Sequence, residues 1–409
     1  MLALAAPAWR RWLKQPKNTN RKYQMKRLAI APHRLYFFLG AVAVLSLFFW
    51  WWLSLNTAYA AHNSVTAIPL HGILMPLGIF PLFILGFTFT AGPRWLAVNA
   101  SDKYFLPTGI LYFTGIVLVI FGSNGAARLV SAGFGLMLLA WMAATLRWAS
   151  LVRLSSITDK NHPSVLLAAM CAGVLALLAA MLWSAGYSPA WFYARQLAFF
   201  CFLLPIFLTV CHRMLPFFSG TVLKPYVAWK PYGLLWFWLA GCVLLALAGV
   251  LNWRMAEAVV ASALAISFAV TSWRWGLRAS FANRLLAMLH MSFAWLSIVF
   301  ALQAASAFGL NMGSASLHAL GLGFMATMLV AFVSRVSFGH SGRPLVVSNT
   351  LWVLYLALHL AAAMRVLASV LFIPALLSYS ATVWLLLLGS WVVMMLPIYL
   401  KERADGQAG

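Results

Sequence analysis

Residues 163–184 read PSVLLAAMCAGVLALLAAMLWS, twenty-two positions without one charged side chain. At 1.5 Å per residue such a run makes a helix about 33 Å long, enough to cross a hydrocarbon core of about 30 Å. Lipid offers no partner for a backbone N–H, so a run of this length must pair its own amides and is a helix rather than a strand. The same reading extends outward in both directions. Apolar runs recur at 35–55, 69–91, 105–121, 128–149, 163–184, 193–211, 231–251, 255–275, 284–306, 314–336, 348–368 and 377–400, twelve in all. The 409 residues include only 8% charged side chains, against about 25% in soluble domains. Composition and runs together predict an all-α polytopic membrane protein with about twelve transmembrane helices. Its parts are a basic segment 1–34, a single membrane domain 35–400 and a short tail 401–409, with the first 30 residues and the tail expected to be disordered.

A net charge of +23 could suggest a nucleic-acid partner, so its distribution must decide. Of 28 Lys and Arg, nine precede or open the first span, from Arg10 to Arg34. Alternate loops on that side add Arg94, Lys103, Arg147, Arg153, Lys160, Arg213, Lys224, Lys230, Arg274, Arg278, Arg284, Arg335, Arg343, Lys401 and Arg403. Only Arg128, Arg195, Arg254 and Arg365 fall on the other side. That asymmetry is the positive-inside pattern, with both termini cytoplasmic. The basic excess marks topology and attraction to anionic lipid, each residue near the surface contributing about 1 kcal/mol, and argues against nucleic acid.

Several features weigh little. Ala58-Tyr59-Ala60 has the form of a signal cleavage site, but the span before it exceeds the usual h-region of about 7–15 residues, and an uncleaved first helix is expected. Trp50, Trp51 and Trp52 form an interfacial anchor at its outer end. Cys171, Cys201, Cys211 and Cys242 contain no C-x-x-C pair and read as packing residues. Of five acidic residues only Glu257 is near a span. No carboxylate stands at mid-depth, which disfavours a proton- or sodium-coupled transporter.

Histidine is the remaining chemistry. His71, His290, His318 and His359 fall inside the apolar runs. His71 and His318 sit near the outer boundary, His359 near the midplane, and His290 roughly 9 Å in from the cytoplasmic side at 1.5 Å per residue. Neutral imidazole is the commonest metal ligand, and paired histidines hold haem iron from opposite faces. The bland alternative is that each bonds a neighbouring backbone or serine across a helix contact.

Two stretches then become familiar. His318-Ala-Leu-Gly-Leu-Gly runs through Met328 to Arg335-Val-Ser-Phe-Gly-His340-Ser-Gly342-Arg343-Pro344-Leu345. Leu70-His71 continues through Met75, Gly78, Gly86-Phe87, Thr90-Ala91, Pro93 and Trp95. With Pro216-Phe217-Phe218 after His212-Arg213 in a central loop, and Leu286 to Gln303 around His290, the chain resembles the NnrS family over most of residues 33–350. The resemblance implies a multi-pass protein of the bacterial inner membrane that contains haem and copper and is linked to nitric oxide, denitrification and nitrosative stress. Taken with the histidines inside the apolar runs, the expected cofactor residues are His71, His318, His359 and His290, with Arg365 as the outer-side partner of a haem propionate and His71, His318 and His359 as metal ligands. One departure matters. The family's second-helix block often reads H-x-H-E, whereas Ile73 and Leu74 stand here in place of the second histidine and the carboxylate, which weakens a copper site more than a haem site.

The polar string SRVSFGHSGRPL at 334–345 keeps two readings. Arg335, His340 and Arg343 could grip an anionic ligand or partner. Alternatively Gly339, Gly342 and Pro344 build a rigid turn and the arginines cap the tenth helix. The expected partners are the bilayer and a small gas such as nitric oxide, which is neutral, membrane-soluble and needs no polar conduit. Whether the protein turns the gas over as an enzyme is left open. The rival classes are a twelve-helix transporter of a small solute or metal and an assembly factor for a respiratory complex.

Overall fold

A computed structural model describes residues 27–59, 65–100 and 103–407. The basic residues Arg10 to Lys26 and residues 60–64, with the possible cleavage site's last alanine, lie outside that description. Among the described residues there is no strand, and twelve helices are long and apolar enough to cross a membrane. They are α1 Pro32–Asn56, α2 Ala67–Leu96, α3 Phe105–Gly122, α4 Ala127–Leu154, α5 Asn161–Ser184 and α6 Ala190–Val222. There follow α7 Tyr232–Leu251, α8 Arg254–Arg274, α9 Arg284–Ala307, α10 Ala315–His340, α11 Asn349–Val370 and α12 Ala375–Leu400.

Every apolar run thus became a helix, most of them longer than the run, and two of the shifted ends bear on the site. The sixth run was expected to stop at 211, with Pro216-Phe217-Phe218 in a loop. Instead α6 continues to Val222 with Pro216 inside it. A proline within a membrane helix is tolerated because neighbouring groups take over the freed backbone partners. Likewise α10 runs on through His340, so half of the polar string is helix. It stops where Gly342 takes a positive φ of 66°, with Pro344 next. Both α6 and α10 contain a wide π turn, at Leu197–Leu203 and Ala319–Ala326.

Four helices form the interior. The most apolar window of α2 is 83% buried, that of α10 72%, of α6 67% and of α9 61%, while the other eight lie between 33% and 44%. The eight peripheral helices thus show lipid the wider part of their surface. Close approach is achieved by glycine set against bulk. A Cβ at Gly40 would meet the Phe83 ring at 2.8 Å, one at Gly78 the Leu47 side chain at 2.7 Å, and one at Gly86 the Phe37 ring at 2.6 Å, so α1 and α2 interlock through alternate small and large residues.

The first and last helices adjoin along their whole length. Phe37 meets Tyr399 with ring centres 6.1 Å apart, Phe48 stacks near Trp384 at 6.1 Å, and Trp52 donates to Thr382 at 2.9 Å. Both described ends therefore lie on one side, called here the terminal face. Arg34 donates to the carbonyls of Tyr399 at 3.2 Å and Lys401 at 2.8 Å, and Arg27 to that of Leu400 at 3.2 Å and to Glu402. The tail expected to be disordered is pinned through residue 404, whose N–H donates to the Ser341 carbonyl at 2.8 Å.

Candidate functional site

Eight of the nine histidines lie inside the helices, twice the number that the apolar runs suggested; His62 is outside the described residues. The helices extend past their apolar centres into polar ends, and His33, His162, His212 and His340 sit in those ends. Five of the eight are on the four interior helices: His71, His212, His290, His318 and His340.

Two of the expected site residues come together at the far face, opposite the termini. His71 on α2 and His318 on α10 have ring centres 6.4 Å apart and planes within 18°. Trp51 of α1 lies flat against His71, with ring centres 3.8 Å apart. His318 Nδ1 donates to the Ser314 carbonyl at 2.9 Å. A carbonyl can only accept, so the neutral ring keeps its lone pair on Nε2, the arrangement that metal-ligating histidines use. His71 Nδ1 is buried with no hydrogen-bond partner, a cost of about 1–3 kcal/mol unless something binds there.

Arg365 of α11 stands beside this pair and acts electrostatically on both rings. Its guanidinium donates to Ser369 at 2.5 Å and to Ser314 at 3.3 Å, and those two hydroxyls are 3.1 Å apart. The cation therefore reaches Ser314, the residue that opens the helix carrying His318, and stays at the far-face end of the site.

His359 is engaged elsewhere. Its Nδ1 accepts from Trp295 Nε1 on α9 at 2.8 Å, and its ring meets Tyr355 edge-on at 4.7 Å. An indole N–H only donates, so a neutral His359 carries its proton on Nε2, which is buried and unpartnered. In that tautomer Nε2 has no lone pair for a metal. Gly323 makes room for the indole: a Cβ there would lie 2.4 Å from Trp295 Cε3. His290 faces Ser219 at 2.9 Å, far along α9 towards the terminal face. Among the described residues no three His, Cys, Asp or Glu side chains gather as a metal cluster. Ile73 and Leu74, which stand in place of the second histidine and the carboxylate, are both fully buried in the core.

The polar string resolves into packing contacts. Arg335 lays its guanidinium over the Phe218 ring at 3.9 Å, joining α10 to α6. His340 rests against His33 with ring centres 4.7 Å apart. Ser334 accepts from Trp391 at 3.1 Å and Ser337 bonds Tyr399 at 2.9 Å. A Cβ at Gly342 would sit 2.4 Å from the Asp405 carboxyl carbon, so the tail folds over that glycine. Capping arginines exist, but they are Arg27 and Arg34, acting on α12. Burial lowers the pKa of Arg343.

An apolar cavity of about 70 Å³ opens between α1, α2, α6 and α10, lined by Phe80, Phe83, Phe87, Phe207, Phe332 and Val210 among others. It touches no histidine. That volume admits a diatomic molecule and is far below the roughly 300 Å³ at which pockets for larger ligands begin.

Sequence reasoning missed the cluster on the opposite side of α6. His162 Nε2 and His212 Nδ1 are 3.0 Å apart, and Tyr232 and Asp159 extend the chain of contacts to the surface. The adjacent pair His212-Arg213 was visible in the sequence, but its partner fifty positions earlier was not.

No curated protein matches the chain. Comparison with known families matches residues 27–403 to the family described as NnrS protein, nearly the whole of the described chain. The chain belongs to the NnrS family.

Proposed function

We propose that this is a haem-binding protein of the bacterial inner membrane, with both ends in the cytoplasm, that acts on nitric oxide in its metabolism or in defence against nitrosative stress. The observation that carries the reading is the pair His71 and His318. Two imidazoles from different interior helices approach to 6.4 Å, one with a buried nitrogen that has no partner and the other with its lone pair left free by the Ser314 carbonyl. That donor set suits haem iron. Arg365 supplies the cation for a propionate, and its serine partners hold it at the rim without neutralising it. Bound haem would supply a metal centre at which a diatomic gas coordinates. The protein's own part is to fix the tautomer of His318 through the Ser314 carbonyl, to hold the His71 ring against Trp51 and to keep water out with that indole. The apolar cavity supports a neutral gas as the ligand, since a wall of hydrocarbon with the Thr88 hydroxyl as its one polar side chain offers an ion very little.

Copper has less support, because the second-helix block offers His71 alone. The absorbance spectrum of the purified protein tests the haem reading. A Soret band is expected, lost or displaced in His71→Ala and in His318→Ala and retained in His340→Ala. A protein that stays colourless when purified with haem supplied would sink it.

A further inference from the structure

The cluster of His162, His212, Tyr232 and Asp159 lies on the terminal face, away from the haem reading and independent of it. Its hydrogen bonds can be counted. His212 Nε2 faces the Pro231 carbonyl at 3.2 Å and must donate to it. In a neutral ring His212 Nδ1 is then an acceptor, so His162 Nε2, 3.0 Å away, must donate. That leaves His162 Nδ1 as an acceptor facing the Tyr232 hydroxyl at 3.3 Å. The same hydroxyl donates to Asp159 Oδ2. One phenol proton cannot serve two acceptors, so with every group in its ordinary state the chain is one proton short. A single added proton completes it, sitting on His162 Nδ1 and donated to the Tyr232 oxygen.

The burial gradient gives the chain a direction. Asp159 is exposed, Tyr232 partly so, and His162 and His212 are buried. Trp238 closes the far end, its ring edge-on to His212 at 6.2 Å. We propose that Asp159, Tyr232, His162 and His212 form a proton-uptake relay, which takes one proton from water at the terminal face and carries it to the buried His212.

The transfer balances without electrons or a co-reactant. A proton from water reaches the Asp159 carboxylate. The carboxyl passes it to the Tyr232 oxygen as the phenol O–H passes to His162 Nδ1. His162 Nε2 then gives its proton to His212 Nδ1, and the positive charge comes to rest on His212, whose Nε2–H stays on Pro231. The charged groups around the relay come from each packed element: Asp159 before α5, Arg213 on α6, and Lys230 before α7. Arg213 and Lys230 carry the same sign as the added proton, and Asp159 carries the opposite sign. The Tyr232 hydroxyl holds Asp159 below its ordinary pKa, which keeps the counter-charge in place at neutral pH.

The test uses the full chain in lipid nanodiscs with ¹⁵N-labelled histidine, titrated between about pH 8 and about pH 3, a range wide enough to include imidazoles displaced by buried surroundings. The wild type should show one coupled step shared by His162 and His212. Asp159→Asn removes the counter-charge, and its amide donates to Tyr232, freeing the phenol proton for His162. The variant chain is complete without uptake, so the step should vanish from the range or move down by about one to three pH units. Tyr232→Phe, which keeps the ring and removes the bridging oxygen, should lose the coupling between exposed and buried groups. The unmoved signals of the remaining histidines report that each variant is folded. Absence of a step in the wild type, or an identical step in Asp159→Asn, would overturn the proposal.

Discussion

At the scale of single residues, hydrogen-bond direction fixes the tautomers of His318 and His359. An imidazole has one proton to place when neutral, and its partner decides where. The Ser314 carbonyl leaves His318 a free Nε2 lone pair, whereas the Trp295 indole takes it from His359. His359, placed near the midplane, was expected to share the metal with His71 and His318. Depth follows from counting 1.5 Å per residue, but the direction in which a ring points depends on its neighbour, here an indole 64 positions earlier. Gly323 controls that neighbour. Gly323→Ala puts a methyl 2.4 Å from Trp295 and should cost about 1–3 kcal/mol, as overpacked cores do. The expected signs are a lower thermal unfolding midpoint and altered tryptophan fluorescence. An unchanged midpoint would mean that the indole has somewhere else to go.

At the scale of elements, the twelve helices were legible because each hydropathy reading sums about twenty residues and tolerates local irregularity. Their ends were not. The sixth run was cut at Arg213 and Pro216 since charge and proline both read as exits from lipid, yet α6 holds His212 and Ser219 in its continuation. This hid the relay, because His212 was read in a loop and His162, fifty positions earlier, lay outside the apolar runs. The end of helix ten was misplaced in the same manner: the first seven residues of the polar string are its last turns, packed on α1, α6 and α12. The most exacting contact in that packing is Arg34, only 3% exposed, with one nitrogen shared between the Tyr399 and Lys401 carbonyls. Arg34→Ala should cost about 1.5–3 kcal/mol, the range for hydrogen bonds to charged groups. Faster trypsin cleavage after Lys401 in the variant, with the rest of the chain resistant, would show the tail released; equal cleavage would show that Arg27 and Gly342 suffice.

At the scale of the whole molecule, the structure shows that both described ends share a face, and the charge pattern says which face it is. With 24 of 28 Lys and Arg assigned to that side, an alkaline phosphatase fused after Lys401 should be inactive and a fluorescent reporter fused there bright. The reverse would place the relay in the periplasm and the His71–His318 pair against the cytoplasm.

The meeting of α1 and α12 has a consequence for connectivity. Because they lie side by side with Arg27 touching Leu400 and Glu402, the bundle is in effect a closed loop whose opening happens to fall at this seam. A short splice across it would leave every helix where it is, and new ends could be cut at any other bend on the same face, such as 223–231 or 341–348, without reversing the sense of a single crossing. The order in which the helices enter the bilayer would change while their arrangement would not. The seam is therefore where the fold can be asked whether its first-made helix is a template for the others or merely a neighbour of the last.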